Sequence, residues 1–274
     1  MTSIHFVGRI ESSLVGFLME CLEDCHIVKW DVTAIQVGTI KLDRSGLTHF
    51  EGRGITMTVP IWCAAATDGK HKVIVDTGVR EAEAFKTVEP DLNIEPHEVT
   101  EVAVQKTMGW KPDEVDIVIN THLHYDHCGR NNVFTNAICY VQRSEFDIAF
   151  NPPKSSVRFY DLPAINKKAI PYFKWFFING EYEILPGLRV IPTPGHTKGS
   201  QAAFFDSTDG VICVSGDICN LLVNINEDKE PSIVTNSEEV FKSLETIRQF
   251  AHYIIPGHEP SIRSGDTKFP EVIP

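Results

Sequence analysis

The stretch that decides the fold of this chain runs from Val115 to His127. It reads Val115-Asp116-Ile117-Val118-Ile119-Asn120 and continues Thr121-His122-Leu123-His124-Tyr125-Asp126-His127. The first part is a mostly apolar run, which is typical of a strand buried on both faces. The second part places four potential metal ligands at the carboxyl end of that strand, where α/β sheets usually carry their sites. The stretch therefore predicts a metal site at a sheet edge.

The spacing of these side chains allows two metal ions. Residues two apart in an extended chain face the same way, so His122 and His124 can hold one ion. Asp126 and His127 follow as the chain turns, and they can reach a second ion about 3.5–4 Å from the first. A binuclear centre is therefore expected.

Three later residues occupy equivalent positions, each just after a predicted strand. His196 lies in a Pro-Gly loop, Asp217 follows Ser215-Gly216, and His258 follows Pro256-Gly257. Each residue by itself is compatible with an ordinary turn. Together with the first four they place five histidines and two aspartates at successive strand ends, and we expect them to converge.

The remaining pattern alternates β-rich runs with helical ones and predicts one α/β unit. Helices are expected at Thr100–Met108, closed by Gly109, and at Ser237–Phe250, capped by Ser237. The predicted strands are 55–66, 72–76, 115–120, 137–142, 188–192, 202–205, 211–215 and 253–255.

We predict a single domain over residues 30–274, preceded by an N-terminal extension at 1–29. Within the extension, residues 10–22 form a possible amphipathic helix with Ile10, Leu14, Phe17, Leu18 and Cys21 on one side. The helix would pack on its own domain, contact a second subunit or cover the active site. The sequence leaves these alternatives open, and it does not choose between a monomer and a homodimer.

Composition excludes several classes of protein. The chain has 274 residues, of which 42% are hydrophobic and 23% charged, so it can build a substantial core. A formal charge of −12 disfavours nucleic-acid binding, and no apolar run is long enough for a membrane span. The seven cysteines are irregularly spaced, which favours reduced thiols. With no export signal, we expect a cytoplasmic protein.

One segment, residues 167–177, mixes basic and aromatic side chains as a nucleic-acid surface would. The acidic charge of the chain makes core packing the preferred interpretation. Trp175 is then expected to form one wall of an apolar substrate pocket.

The ligand string at 122–127, with His196, Asp217 and His258 in the same order, resembles the signature of the metallo-β-lactamase superfamily. Asp76-Thr77-Gly78 resembles that superfamily's Asp-x-Gly element, in which the carboxylate supports a ligand without binding metal. The resemblance implies an αββα four-layer sandwich with two metals at its rim. It implies one metal held by His122, His124 and His196, a second held by Asp126, His127 and His258, and Asp217 bridging them.

Within the superfamily, residues 30 to 262 resemble N-acyl homoserine lactonases. The similarity includes 59–63, 75–78, 134–136, 141–146 and 180–187, and it implies that Tyr125 lines the acyl pocket. One position departs from the pattern. The better-known lactonases have a tyrosine three residues after the bridging aspartate, where its hydroxyl contacts the lactone, and this chain has Asn220. An amide can donate a hydrogen bond to a carbonyl, but it cannot act as a phenolic acid.

The expected chemistry is hydrolysis. Two cations that share one water lower its pKa and present hydroxide to a carbonyl carbon, and Asp126 is the expected proton shuttle to the leaving group. Zinc is the default ion, while manganese, cobalt and iron fit the same donors. A small-molecule lactone is the leading substrate. A thioesterase or esterase of the glyoxalase II kind and a catalytically silent metal-binding domain are the alternatives.

Overall fold

Two mixed sheets form the centre of the molecule. The computed structural model describes residues 28–161 and 174–273. Within them the first sheet has the order β1-β2-β3-β4-β5-β6, antiparallel from β1 to β3 and parallel from β3 to β6. These strands are Asp31–Asp43, Thr56–Thr67, Lys72–Val75, Ile117–Ile119, Ile138–Gln142 and Lys174–Ile178.

The second sheet is antiparallel except at one edge, where β10 and β11 run parallel. Its strands are β7 (Tyr182–Leu185), β8 (Leu188–Pro192), β9 (Gln201–Asp206), β10 (Val211–Gly216) and β11 (Tyr253–Pro256). Each strand predicted from the sequence is present, with its ends shifted by at most two residues. The long first strand, β6 and β7 were not predicted.

Among the described helices, Thr100–Met108 and Ser237–Phe250 pack against the outer faces of the two sheets. The helices are α1 (Thr100–Met108), α2 (Tyr125–Cys128), α3 (Arg143–Phe150), α4 (Leu222–Asn226) and α5 (Ser237–Phe250). Short 3₁₀ turns lie at Arg44–Gly46, Ala82–Phe85, Pro112–Glu114, Asn131–Val133 and Val157–Phe159.

Alternation along the strands divides the core into layers. Ala34 of β1 faces the opposite sheet and packs with Val190 and Phe205, whereas its neighbour Ile35 faces the layer that contains Val104 of α1. Outside the second sheet, α5 buries its apolar stripe of Val240, Leu244 and Ile247. The order helix, sheet, sheet, helix confirms the predicted αββα sandwich.

Both predicted helices are present with the predicted bounds. Gly109 ends α1 in the left-handed conformation, at φ 73°. The predicted cap of α5 is wrong by one residue. Asn236, not Ser237, accepts the amide protons of Glu238 and Glu239 through its side chain, so Ser237 is already helical. Asparagine is as good an N-cap as serine, and the backbone enters the helix one residue earlier than the pattern indicated.

Several predictions concern residues outside the described ranges. The possible helix at 10–22 and most of the extension at 1–29 lie there, as do residues 167–173 of the basic and aromatic segment. Among the described helices, none is long and apolar enough to cross a membrane.

Candidate metal centre

The seven predicted ligands meet where the strands of both sheets end. Residues 120–127 leave β4, and the loops that carry His196, Asp217 and His258 leave β8, β10 and β11. All seven side chains are buried. Their ligand atoms form two groups, each within 4.8 Å, that could hold metal ions: His122, His124 and His196 in one, and Asp126, His127, Asp217 and His258 in the other.

Asp217 faces both groups at once. Its Oδ2 lies 3.7 Å from His196 Nε2 and 4.0 Å from His122 Nε2. Its Oδ1 lies 3.1 Å from His127 Nε2 and 3.4 Å from His258 Nε2. One carboxylate therefore presents one oxygen to each cluster of imidazoles, which is the geometry that a bridging ligand requires.

Backbone and side-chain partners orient the imidazoles from behind. His196 Nδ1 lies 2.7 Å from the Ile233 carbonyl oxygen, and His258 Nδ1 lies 2.8 Å from that of Pro60. These contacts turn both Nε2 atoms toward the centre. His124 is turned the other way, because its Nδ1 lies 3.0 Å from His196 Nε2.

Asp76 orients His127 and anchors the ligand loop. Its Oδ2 lies 2.7 Å from His127 Nδ1 and also accepts a hydrogen bond from the Thr121 hydroxyl. Its Oδ1 accepts the Thr121 amide proton at 2.8 Å. Carboxylates behind metal-binding histidines fix the ring and raise its basicity. Asp76 thus occupies a supporting position beside the ligand string, at φ 58°.

The surroundings of the first group favour the neutral form of its three imidazole rings. Burial, and then the neighbouring histidines, hold the pKa values of His122 and His124 well below their usual range. Burial also lowers the pKa of His196. Because neutral imidazole is the form that binds a metal, these three rings need no proton loss at neutral pH.

The second group is dominated by its carboxylates. Burial opposes charge on His127 and His258, but Asp217 and then Asp126 raise the pKa of both rings. His127 and His258 in turn hold the pKa of Asp217 well below its usual range, against burial. Burial, reinforced by Asp217, raises the pKa of Asp126.

Unpaired polar atoms test whether these residues fit a metal. Within the described ranges, His122 Nε2, His127 Nε2 and Asp217 Oδ1 are buried and make no hydrogen bond of good geometry, although the last two atoms lie 3.1 Å apart. Buried polar atoms normally have a hydrogen-bond partner, so three such atoms in one cluster indicate a bound group, such as a metal ion, that all three would contact. Imidazole nitrogen and carboxylate oxygen suit zinc and its first-row neighbours. The donor set therefore fits divalent metal ions.

Glu145 holds two ligand loops together and was missed in the sequence. It is fully buried on α3; its Oε1 accepts the Leu123 amide proton at 3.0 Å and its Oε2 accepts the Thr197 hydroxyl proton at 2.6 Å. Leu123 lies between two ligands of the first group, and Thr197 follows the third. Gly199 packs so tightly against α3 that a Cβ there would lie 2.2 Å from Glu145 N. No local sequence motif predicts these hydrogen bonds to Glu145, because the donors come from loops that are distant in sequence.

A cavity of about 500 Å³ opens onto the centre. Five of the clustered residues line it, together with Tyr125 and Asn220. The ring of Tyr125 stacks on Phe85 with centroids 4.3 Å apart. The apolar walls come from Ile40, Leu42, Leu47, Val88, Phe159 and Ile233, and the charged ones from Asp43, Glu89 and Arg158. This size and mixture are typical of a small-molecule site. None of these wall residues had a sequence signal.

The sequence predicted Trp175 as one wall of the substrate pocket. It is absent from the described residues that line the cavity. On β6 its ring makes an edge contact with Phe146, at 5.2 Å, and lies parallel to Phe177. The side chain is half-buried and packs against the apolar clusters that contain Leu123, Phe146 and Tyr125, and its role in a pocket wall stays a prediction.

Comparison with known proteins agrees with this architecture. Residues 57–258 match the metallo-beta-lactamase superfamily. The N-acyl homoserine lactonase of Bacillus cereus is 27% identical over 252 residues, which cover 87% of this chain and 97% of that protein. The N-acyl homoserine lactonase AttM of Rhizobium radiobacter is 30% identical over 177 residues, covering 61% of this chain and 66% of that protein.

The fold is also similar to that of a solved structure. That structure shows an N-acyl homoserine lactone hydrolase with the product N-hexanoyl-L-homoserine at its catalytic metal centre. The TM-score is 0.73 at 25% identity, with 86% of this chain and 97% of that one covered.

The two packed sheets and the buried His/Asp clusters at their strand ends define a metal-dependent hydrolase. The chain belongs to the metallo-β-lactamase superfamily, as its sequence pattern predicted, and it is homologous to N-acyl homoserine lactonases.

Proposed function

We propose that this enzyme hydrolyses the ring ester of N-acyl homoserine lactones, or of a closely related lactone, with two divalent metal ions. The observation that carries the proposal is the position of Asp217, whose two oxygens face two separate groups of histidines beside a partly apolar cavity. The homologous lactonases support the choice of substrate.

His122, His124 and His196 would hold one ion, and Asp126, His127 and His258 the other, with Asp217 shared. Zinc is the first choice for this donor set. Two such ions supply an activated water at neutral pH and polarise the carbonyl of the substrate.

Asp126 is assigned the proton transfer. Its side chain lines the cavity and lies within 3.7 Å of both His127 Nε2 and His258 Nε2. Hydrolysis forms a bond from water oxygen to the acyl carbon and breaks the ring C–O bond. The carboxylate of Asp126 takes the proton that water loses and returns it to the ring oxygen, which leaves as a hydroxyl.

The cavity walls determine how the rest of the substrate is held. Leu47, Phe159 and Ile233 offer apolar surface on the approach to the centre. An acyl tail that follows them would bury its methylene groups at about 0.8 kcal/mol each. We therefore place the tail between the turn at 44–46 and the loop that contains Ile233.

The test is hydrolysis by zinc-reconstituted protein of three matched substrates with hexanoyl chains: the acyl homoserine lactone, a γ-lactone and a thioester. We expect turnover of the homoserine lactone that a chelator abolishes. Asp126→Asn should lower kcat by about 10²-fold or more, whereas Asp91→Asn, an exposed control, should not. Turnover of the thioester alone would move the enzyme to a thioesterase function, and metal binding without any turnover would make it a silent domain.

A further inference from the structure

Residues 229–235 form a segment without regular secondary structure between α4 and α5. Within it, Ser232 and Ile233 line the cavity, and the Ile233 side chain packs against the apolar cluster that contains Leu47. The Ile233 carbonyl oxygen lies 2.7 Å from His196 Nδ1. Because a carbonyl oxygen can only accept, Nδ1 carries the proton and the Nε2 atom of His196 presents a lone pair to the centre. Ile233 thus belongs to the cavity wall and also orients a predicted metal ligand.

The first half of this segment is bound to the turn between β1 and β2. The Glu230 carbonyl oxygen accepts the His49 amide proton at 2.7 Å, and the Ser232 hydroxyl donates to the Gly46 carbonyl oxygen. Gly46 and its neighbour Leu47 also line the cavity. The segment and the turn therefore form one continuous part of the cavity wall.

The other end of the segment is bound to the loop that carries His196. Both the amide and the hydroxyl of Thr235 donate to the Gly195 carbonyl oxygen, at 2.6 and 3.0 Å. Gly195 directly precedes the ligand in the chain. Because the segment contacts both the loop and the imidazole of His196, a displacement of the segment would change the direction in which Nε2 points.

We propose that residues 229–235 couple the apolar cavity wall to the first group of ligands, with Ser232 and Thr235 as positioning residues. An acyl tail packed against Ile233 would hold the carbonyl oxygen of that residue on His196, and it would therefore increase the affinity of the first group for its metal ion. Coupling of this kind is reciprocal, so the bound ion would increase the affinity for a long tail by the same factor. This inference rests on the proposed lactonase function, because it uses the tail position proposed above.

The first measurement is zinc binding by chelator competition, without any substrate. Thr235→Val keeps the size of the side chain and loses the hydroxyl bond to Gly195, and Ser232→Ala loses the hydroxyl bond to Gly46. In each variant, one of the two stepwise zinc affinities should fall by about fivefold. Thr235→Ser and Ser232→Thr keep the hydroxyl and should restore the wild-type affinity.

Two matched controls lose a hydroxyl bond of the same kind at other places. Ser207→Ala removes a bond to the Gly210 carbonyl oxygen at 2.6 Å, and Thr246→Val removes one to the Lys242 carbonyl oxygen at 2.9 Å. Neither residue is among the described residues that line the cavity, and both controls should bind zinc as the wild type does. Equal weakening in the controls and in the segment variants would show that zinc affinity follows general stability, and the positioning role would be wrong.

The second measurement needs only the wild-type protein, so misfolding of a variant does not remove the test. Zinc affinity is compared at saturating N-decanoyl-L-homoserine and at saturating N-acetyl-L-homoserine, the ring-opened products with a long and a short tail. Both carry the same carboxylate and amide, and at saturation the affinity of the tail by itself cancels, so a difference between them measures coupling. We expect zinc to bind about fivefold or more tightly with the decanoyl product.

The outcomes separate this inference from the proposed function. Equal zinc affinity with the two saturating products would overturn the coupling and leave the lactonase function standing. Wild-type zinc affinity in folded Thr235→Val and Ser232→Ala would overturn the positioning role in the same way. Absence of lactone turnover, together with no effect of either product on zinc binding, would overturn the proposed function and this inference together.

Discussion

Replacing Glu145 by glutamine tests whether one buried carboxylate holds the first group of ligands in place. The change keeps the size of the side chain and replaces one acceptor oxygen by an NH₂ group. Each carboxylate oxygen of Glu145 accepts a hydrogen bond, one from the Leu123 amide and one from the Thr197 hydroxyl. The new NH₂ group therefore faces one of these two donors. One short charge-assisted hydrogen bond is lost, and a buried donor is left facing the new NH₂ group.

The expected magnitude follows from these contacts. A hydrogen bond to a charged acceptor contributes about 1.5–3 kcal/mol. Burial raises the pKa of Glu145, so the wild type already carries part of the cost of a buried charge and the loss falls near the middle of this range. We expect a decrease of about 2 kcal/mol in the free energy of unfolding, and a fall of about 4–8 °C in the thermal midpoint for a chain of this size.

The assay is thermal and urea unfolding at fixed zinc concentration, together with zinc competition against a chelator. Zinc affinity should fall by about tenfold, because Leu123 and Thr197 adjoin ligands of the first group. Glu83→Gln, on an exposed residue, should change stability by less than about 0.5 kcal/mol. A double-mutant cycle with Thr197→Val should give a coupling above about 1 kcal/mol. Unchanged stability and zinc affinity in Glu145→Gln would refute the reasoning.

Four further outcomes are expected. Because burial raises the folded-state pKa of Glu145 above the ordinary 4.5, the protonated carboxyl is favoured in the folded state and this contribution to stability is lost as pH rises through the raised pKa. The stability difference between wild type and Glu145→Gln should therefore shrink as pH rises above about 4.5. Asp76→Asn should weaken zinc binding about 10- to 100-fold in chelator competition, since His127 loses a carboxylate partner at 2.7 Å. Gly199→Ala should prevent α3 from packing, because the added Cβ would lie 2.2 Å from the backbone nitrogen of Glu145. We expect its thermal midpoint to fall by many degrees, and an unchanged midpoint would show that the loop moves to make room for the methyl group. Ile233→Trp should narrow the cavity and lower kcat/KM for decanoyl more than for butanoyl lactones, and an equal effect on both would place the tail elsewhere.

Much of the fold was predictable because its signals are local. Residues 115–127 contain both a buried strand and the turn that follows it, so four ligands are fixed by neighbours in the chain. Helix α1 ended at Gly109 as predicted because a left-handed C-terminal residue is a requirement of a few adjacent atoms. The error at α5, where Asn236 rather than Ser237 is the cap, is of the same local kind.

The unpredicted features depend on partners that are far apart in sequence. β1 is a strand because it pairs over most of its length with β2, and its own sequence mixes polar and apolar residues. The contact of Trp175 on β6 with Phe146 on α3 likewise joins residues that are not neighbours in sequence. Composition indicates that an aromatic side chain will be buried, but the direction of burial is set by strand register.

The sequence by itself determined which residue types gather at the strand ends, since ligand spacing and strand periodicity are properties of a short stretch of chain. Only the tertiary structure decided how those residues face one another. That Asp217 divides its two oxygens between two groups of histidines, and that Asn220 keeps its Nδ2 on Leu47 and leaves Oδ1 unpaired, depends on atoms from loops up to 173 residues apart. Hydrogen bonds and charges act over a few ångströms in space, so their partners exist only after both sheets have packed.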